Sequence, residues 1–317
     1  MVGCMSDAIA LVPYDEFSMF DENASEFGLP FPAPPIVRRV TAPMGDGRVM
    51  SALAWGDTPP ELVLIHGGAQ NAHTWDTVAL ALGRPLLAID LPGHGHSDSA
   101  SSATDAQTSA AALAADVAEV IDQLAPSAKV VVGMSLGGLT SIALTGARPD
   151  LVRSLVLVDV TPGVTSEKAK AIHSFVNGPT SFPSFDAILA RTVEFNPGRT
   201  VASLRRGILH NAQQQADGSW VWRHRRHADP DASPMAAASG EERMNALAAL
   251  WDVVSASTMP IMLVRGMRPQ SVVDDNDEAE LLRRRPNARV EHVADAGHSV
   301  QGDTPLELAR LIADFAP

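Results

Sequence analysis

Five short runs, LVLI (62–65), LLAI (86–89), VVVG (130–133), LVLV (155–158) and IMLV (261–264), constrain this chain more than any other feature. None alternates apolar with polar residues, as a strand with one wet face would. A strand covered on both faces reads this way, and such strands belong to parallel sheets packed between helices. Strands are predicted at 36–41, 48–55, 62–66, 86–90, 130–134, 155–159, 261–265 and 290–293. Between them lie helical patterns. Leu113, Val117, Val120, Ile121 and Leu124 form one buried stripe ended by Pro126, and Leu308, Leu311, Ile312 and Phe315 form another. The alternation predicts an α/β fold: an open, mostly parallel eight-stranded sheet flanked by helices, with ligands bound at the loops after the strand C-termini.

The alternation stops between about 162 and 246, where aromatics (Phe175, Phe182, Phe185, Phe195, Trp220, Trp222) are scattered among Pro and Gly. That stretch is too long for a simple connection. It is expected to be an inserted, mostly helical cap over a core of 36–161 and 247–317, with 1–35 as an extended N-terminal arm.

Composition bounds the partners. A net charge of −13 disfavours a phosphate polyanion, so no nucleic acid is expected. The cluster Arg223, His224, Arg225, Arg226, His227 is a local exception, read either as a solvated face or as a contact for a substrate carboxylate or phosphate. Cys4 is the only cysteine, which fits a reducing cytoplasm. No apolar run is long enough to span a membrane, and the N-terminus makes a poor secretory signal. A cytoplasmic protein is expected, of unspecified oligomeric state.

The chemistry starts at VVVGMSLGG (130–138). Gly133-Met134-Ser135-Leu136-Gly137 follows a buried strand and opens a helical pattern, the setting in which G-x-S-x-G presents a nucleophile. The turn is so tight that its flanking positions must be small. Ser135 then projects above the sheet, and the Leu136 N–H at the helix start is free to donate to a developing oxyanion. A second donor is expected near Gly68 or Ala69, in the loop His66-Gly67-Gly68-Ala69 after another buried strand. His66 itself is read as a loop-holding residue. In DLPGHGHS (90–97), His94-x-His96 has the look of a metal pair but lacks a third ligand, so a loop-shaping role is preferred and no metal or cofactor is expected.

HGG (66–68), DLPGHGHS (90–97), GMSLGG (133–138), LVLVD (155–159) and DAGHS (295–299), in this order, resemble the α/β-hydrolase superfamily from about residue 36 to the C-terminus. The resemblance implies that His298 is the catalytic base. Its loop is polar and glycine-flanked, and an imidazole is suited to take a proton from serine near neutral pH.

Most relatives place the triad acid after the seventh strand. Here that strand is IMLVRG, and the expected place holds Gln270 and Ser271, neither of which ionises to a carboxylate. Other branches, haloalkane dehalogenases among them, place the acid at the end of the sixth strand. Asp159, 24 positions after Ser135, stands there and is the assigned acid, with Asp274 as the alternative. Asp275 and Asp277 are read as starting a helix.

A serine at the turn excludes the reactions that relatives perform with an aspartate nucleophile. The expected activity is hydrolysis of a carboxylic ester, thioester or lactone through an acyl-enzyme on Ser135, with a small to medium apolar acyl compound as substrate. Two alternatives stay open. One is a C–C bond hydrolase of ring-cleavage products using Arg191 or the 223–226 cluster; the other is a hydrolase-like receptor with little turnover.

Overall fold

A computed structural model describes residues 11–99, 109–224 and 240–316. Cys4 and the cluster members Arg225, Arg226 and His227 lie outside them.

The eight expected strands are β1 (Val37–Pro43), β2 (Val49–Trp55), β3 (Leu62–Ile65), β4 (Leu86–Ile89), β5 (Val130–Met134), β6 (Leu155–Val158), β10 (Ile261–Gly266) and β11 (Arg289–Val293). They form one sheet in the order β1-β2-β4-β3-β5-β6-β10-β11. β2 runs antiparallel to β1 and β4, and every pair from β4 to β11 is parallel.

The apolar runs fill both faces. Val63, Ile65, Leu87, Ile89, Val131 and Leu157 point into one core. There they meet helices α3 (Ala110–Leu124) and α4 (Leu136–Ala147). Their alternates Leu62, Leu64, Leu86, Val130, Val132 and Val156 point into the opposite core, against Trp75 and the helices α2 (Asp76–Leu82) and α11 (Pro305–Phe315). Each fully buried aliphatic side chain contributes about 1.5–3 kcal/mol, so continuous apolar strands are what this two-sided packing selects.

The arm differs from its expected extended form. Residues 20–26 make a short helix, α1 (Phe20–Glu26), because Met19, Phe20, Asn23 and Ala24 fall on one helical face and are buried together. Phe20 meets Trp55 edge-on at 5.0 Å between centroids. Arg206 fastens the arm by ion pairs to Glu22 and Glu26 and by an Nε–H bond to Asn23 Oδ1 at 2.8 Å.

Between β6 and the helix α8 (Gly240–Ala256) lie α5 (Lys170–Val176), α6 (Phe185–Phe195) and α7 (Val201–Asn211). A small antiparallel sheet accompanies them, β7 (Ser181–Phe182), β9 (Trp220–Trp222) and β8 (Ala212–Gln214) in that order. Its strands are too short for periodicity to reveal. The aromatics there pack on one another: Phe182 on Trp222, Phe185 on Trp220 and Phe175 on Phe195. α8 is continuous through residue 246, and its Trp251 and Val254 join the sheet core. Helix α9 (Asp275–Arg284) and the short α10 (Val300–Asp303) complete the elements used below. Among the described residues no helix is long and apolar enough to cross a membrane.

Candidate active site

β5, β6 and β11 are parallel members of the sheet, and Ser135, Asp159 and His298 follow their C-terminal ends. All three therefore sit at one edge of the sheet. Among the described residues the non-glycine positions with positive φ are Ala69 (60°), Ser135 (51°) and Asp159 (47°). Strained backbone of this kind is held only where its surroundings over-determine it, and such positions concentrate at functional sites.

Close packing enforces the turn at Ser135. A Cβ on Gly133 would lie 2.4 Å from the Gly137 carbonyl oxygen, and one on Gly137 would lie 2.3 Å from the Ile65 carbonyl oxygen. The strand, the turn and the following helix touch backbone to backbone, so both positions require glycine. The oxyanion-loop candidate packs on the same turn: a Cβ on Gly67 would sit 2.5 Å from Met134 Sδ and 3.3 Å from Cβ of Ser135.

The amide inventory around the serine separates the expected donors. The N–H of Ala69 donates to His94 Nε2 at 3.1 Å, which commits it and removes Ala69 from the candidates. The N–H groups of Gly68 and Leu136 have no acceptor among the described residues. His94 Nδ1 faces the Pro92 carbonyl at 3.0 Å, so both ring nitrogens of His94 shape the loop. His66 is used in the same way, with Nδ1 donating to Gly67 O at 2.7 Å and Nε2 accepting from Leu91 N–H at 3.0 Å. Burial pushes the His66 imidazole down to about 3, which keeps it neutral.

Asp159 is fully buried and accepts four hydrogen bonds. Oδ1 takes the Gly266 N–H at 2.9 Å and the Ser271 hydroxyl at 2.6 Å. Oδ2 takes the Val272 N–H at 3.0 Å and His298 Nδ1–H at 2.9 Å. An ionised carboxylate offers about four lone-pair directions, and every one is filled. The proton on His298 is thereby fixed at Nδ1, leaving Nε2 as an acceptor. His298 is itself held by its loop: Gly297 N–H donates to Asp303 Oδ2 at 2.9 Å, and the Gly297 backbone packs over Gly266.

Ser271 is the residue that the sequence reading passed over. It occupies the place where the carboxylate was sought and supplies a donor to the carboxylate found elsewhere. The signal was the hydroxyl itself, a donor placed after β10 to complement an acid at the end of the neighbouring β6.

Asp274 does different work. It caps α9, accepting from Asn276 N–H and Asp277 N–H at 3.0 Å each, and pairs with Lys168 at 2.9 Å. Arg191 donates to the Ser174 carbonyl at 2.9 Å and lies over the Phe195 ring at 4.7 Å. Arg223 donates to the Ala212 carbonyl at 3.1 Å.

Residues 60–305 match the sequence profile of the alpha/beta hydrolase fold family. The chain is 43% identical to esterase Rv0045c of Mycobacterium tuberculosis over 95% of its own length and 96% of the relative's. It is 28% identical to 2-(acetamidomethylene)succinate hydrolase of Mesorhizobium japonicum over 85% and 92%. A solved structure of the M. tuberculosis esterase, described together with inhibition of that enzyme by transition metals, superposes with a TM-score of 0.80 at 42% identity, covering 96% of this chain and 99% of that one.

Proposed function

The chain belongs to the α/β-hydrolase fold family, and on that premise we infer that it is an esterase-like hydrolase whose nucleophile is Ser135. Ser135 Oγ attacks the carbonyl carbon of a bound ester and passes its proton to Nε2 of His298. Asp159 holds the other imidazole proton and stabilises the imidazolium that forms. The amides of Leu136 and Gly68 receive the negative charge on the carbonyl oxygen, each donor being worth about 3–4 kcal/mol of barrier. The alcohol leaves with the proton from His298, and water activated by the same imidazole releases the acyl group.

The observation that carries this reading is the 2.9 Å contact between His298 Nδ1 and a fully buried, fully hydrogen-bonded Asp159, at the sheet edge where Ser135 holds positive φ. The receptor alternative rested on the lack of an acid after the β10 strand, and Asp159 supplies the imidazole with a partner. The C–C hydrolase alternative needs an arginine for the substrate carboxylate. Arg191 and Arg223 are both engaged with backbone carbonyls, and Arg225 and Arg226 of the cluster lie outside the described residues. Of the stretch 162–246, the described residues 162–224 serve in this reading as a cap over the acyl pocket, with Phe175, Phe182, Phe185, Phe195, Trp220 and Trp222 packing on one another.

The substrate class is a carboxylic ester, thioester or lactone with a small to medium apolar acyl group. A panel of esters and thioesters of graded acyl length tests it. Hydrolysis by the wild type, lost in Ser135→Ala of unchanged fold, is the expected result. Equal turnover by Ser135→Ala, or none by the folded wild type across the panel, would overturn it.

A further inference from the structure

A polar cavity of about 100 Å³ lies between the arm, the 70–77 segment and α7. It touches the active site only through Gln70, whose Oε1 accepts the Gly67 N–H at 3.1 Å, and Gln301, three positions after His298. Neither Ser135 nor His298 lines it. At one side stand His73, Asp76 and His210, each more than nine-tenths buried. One ligand atom from each lies within 4.8 Å of the others.

Two atoms of these side chains lack a hydrogen-bond partner among the described residues, Asp76 Oδ1 and His210 Nε2. Leaving a buried polar atom unpaired costs about 1–3 kcal/mol, so a pair of them beside one cavity calls for something that binds there. The outer nitrogens are already supported. His73 Nε2 faces Glu16 Oε2 at 3.2 Å, and His210 Nδ1 faces the Tyr14 hydroxyl at 2.8 Å. With protons on those outer nitrogens, His73 Nδ1 lies 2.9 Å from Asp76 Oδ2, and His210 Nε2 lies 3.7 Å from the same oxygen. A histidine that ligates a metal almost always donates its other ring N–H to a carboxylate or similar group, and both rings have such a group in place.

We propose that His73, Asp76 and His210 form a binding site for a borderline divalent transition-metal ion such as Zn²⁺ or Co²⁺, separate from the hydrolytic centre. Two imidazoles and a carboxylate are the donor set that zinc and its neighbours in the first row prefer. The ion replaces the proton between His73 Nδ1 and Asp76 Oδ2, and the unpaired Nε2 of His210 is left to ligate. The two rings stack at 3.8 Å with planes 10° apart, so His210 must tilt toward Asp76 for both lone pairs to converge on one ion. The ligands come from the 72–76 segment and α7, and the groups behind them, Tyr14 and Glu16, come from the arm. A bound ion would tie three parts of the chain together. Asp76 and His73 are three positions apart, but His210 lies far along the sequence, and no spacing motif announces the set.

The test is direct binding to tag-free, chelator-washed protein. Co²⁺ titration should produce one equivalent of a visible absorption band that Zn²⁺ displaces. His210→Ala and Asp76→Asn should lose the band, while His96→Ala, in the H-x-H pair of the 90–97 loop, should retain it. Glu16→Gln should weaken the Co²⁺ Kd by about 10–100-fold. Activity is not the readout, because an ion bound at His298 would suppress turnover from elsewhere. Failure of the wild type to take up one equivalent overturns the proposal, as does a band that survives in folded His210→Ala. Should that variant not fold, an unchanged Kd in Glu16→Gln overturns it.

Discussion

Asp159 Oδ1 is held by the Gly266 amide and the Ser271 hydroxyl, and Oδ2 by the Val272 amide and His298. Replacing Asp159 by Asn puts an NH₂ where one of these donors now points and removes the charge that steadies the imidazolium. Steady-state kinetics on the preferred ester should show kcat lower by about 10³–10⁴-fold. Asp274→Asn should leave kcat within a few-fold of wild type, since its carboxylate serves α9 and Lys168. Its cost should appear in urea unfolding instead and stay below about 1 kcal/mol, since Asn also caps a helix N-terminus and only the partly exposed ion pair to Lys168 is lost. The opposite pattern would move the acid to Asp274. Ser271→Ala deletes one donor to a buried carboxylate. Urea unfolding should register about 1.5–3 kcal/mol of lost stability, the range for a hydrogen bond to a charged group. At this scale the sequence marks out where a serine and a histidine follow sheet strands, and Ser135 and His298 do stand after β5 and β11. It was less legible for Asp159, which shares its acid character with Asp274, and for Ala69, whose amide is diverted by His94 through a contact between distant loops.

The β5–α4 junction is the element on which the site depends. Its flanking glycines abut carbonyl oxygens of the same turn and of β3, and those backbone atoms cannot step aside as a side chain could. Gly137→Ala should therefore cost more than the 1–3 kcal/mol typical of an overpacked core, roughly 3 kcal/mol or above. Urea denaturation should show the midpoint falling with little change in slope; a variant as stable as wild type would mean that the strand, turn and helix are not in contact as described. Strands at this scale were read to within two residues at each end, since two-sided burial leaves an unbroken apolar signature. The arm helix α1 and the small sheet of β7, β8 and β9 escaped because seven-, two- and three-residue elements are too short for a period to emerge. Their existence follows from tertiary contacts, Phe20 against Trp55 and Trp220 against Phe185, that link distant positions.

Across the whole molecule, buried histidines of opposite character set the pH range of stability. An unfolded chain protonates His66 near 6.5, the folded one only near 3. Between those values the unfolded state binds more protons, so stability falls as pH drops, by about 2 kcal/mol at pH 5 from this residue alone. Burial lowers His94 as well and adds to the slope. His73 acts in reverse. Burial opposes its charge, but Asp76 and Glu16 overcome that and push it up to about 9. Its contribution is fully present below 6.5 and is lost as pH rises through about 9, a loss of roughly 3 kcal/mol. Urea midpoints measured with EDTA present should therefore peak between pH 6.5 and 7 and decline on both sides. His73→Gln should flatten the alkaline side. A profile flat from pH 5 to 9 would show that neither imidazole is held as the contacts imply.

The central claim is that Ser135 is a nucleophile served by His298. Intact-protein mass spectrometry after brief exposure to a fluorophosphonate addresses it most directly. One phosphonyl group should add to the wild type at Ser135, none to Ser135→Ala, and addition should be far slower in His298→Ala. A folded wild type that stays unlabelled, or a Ser135→Ala variant that labels as fast, would contradict it.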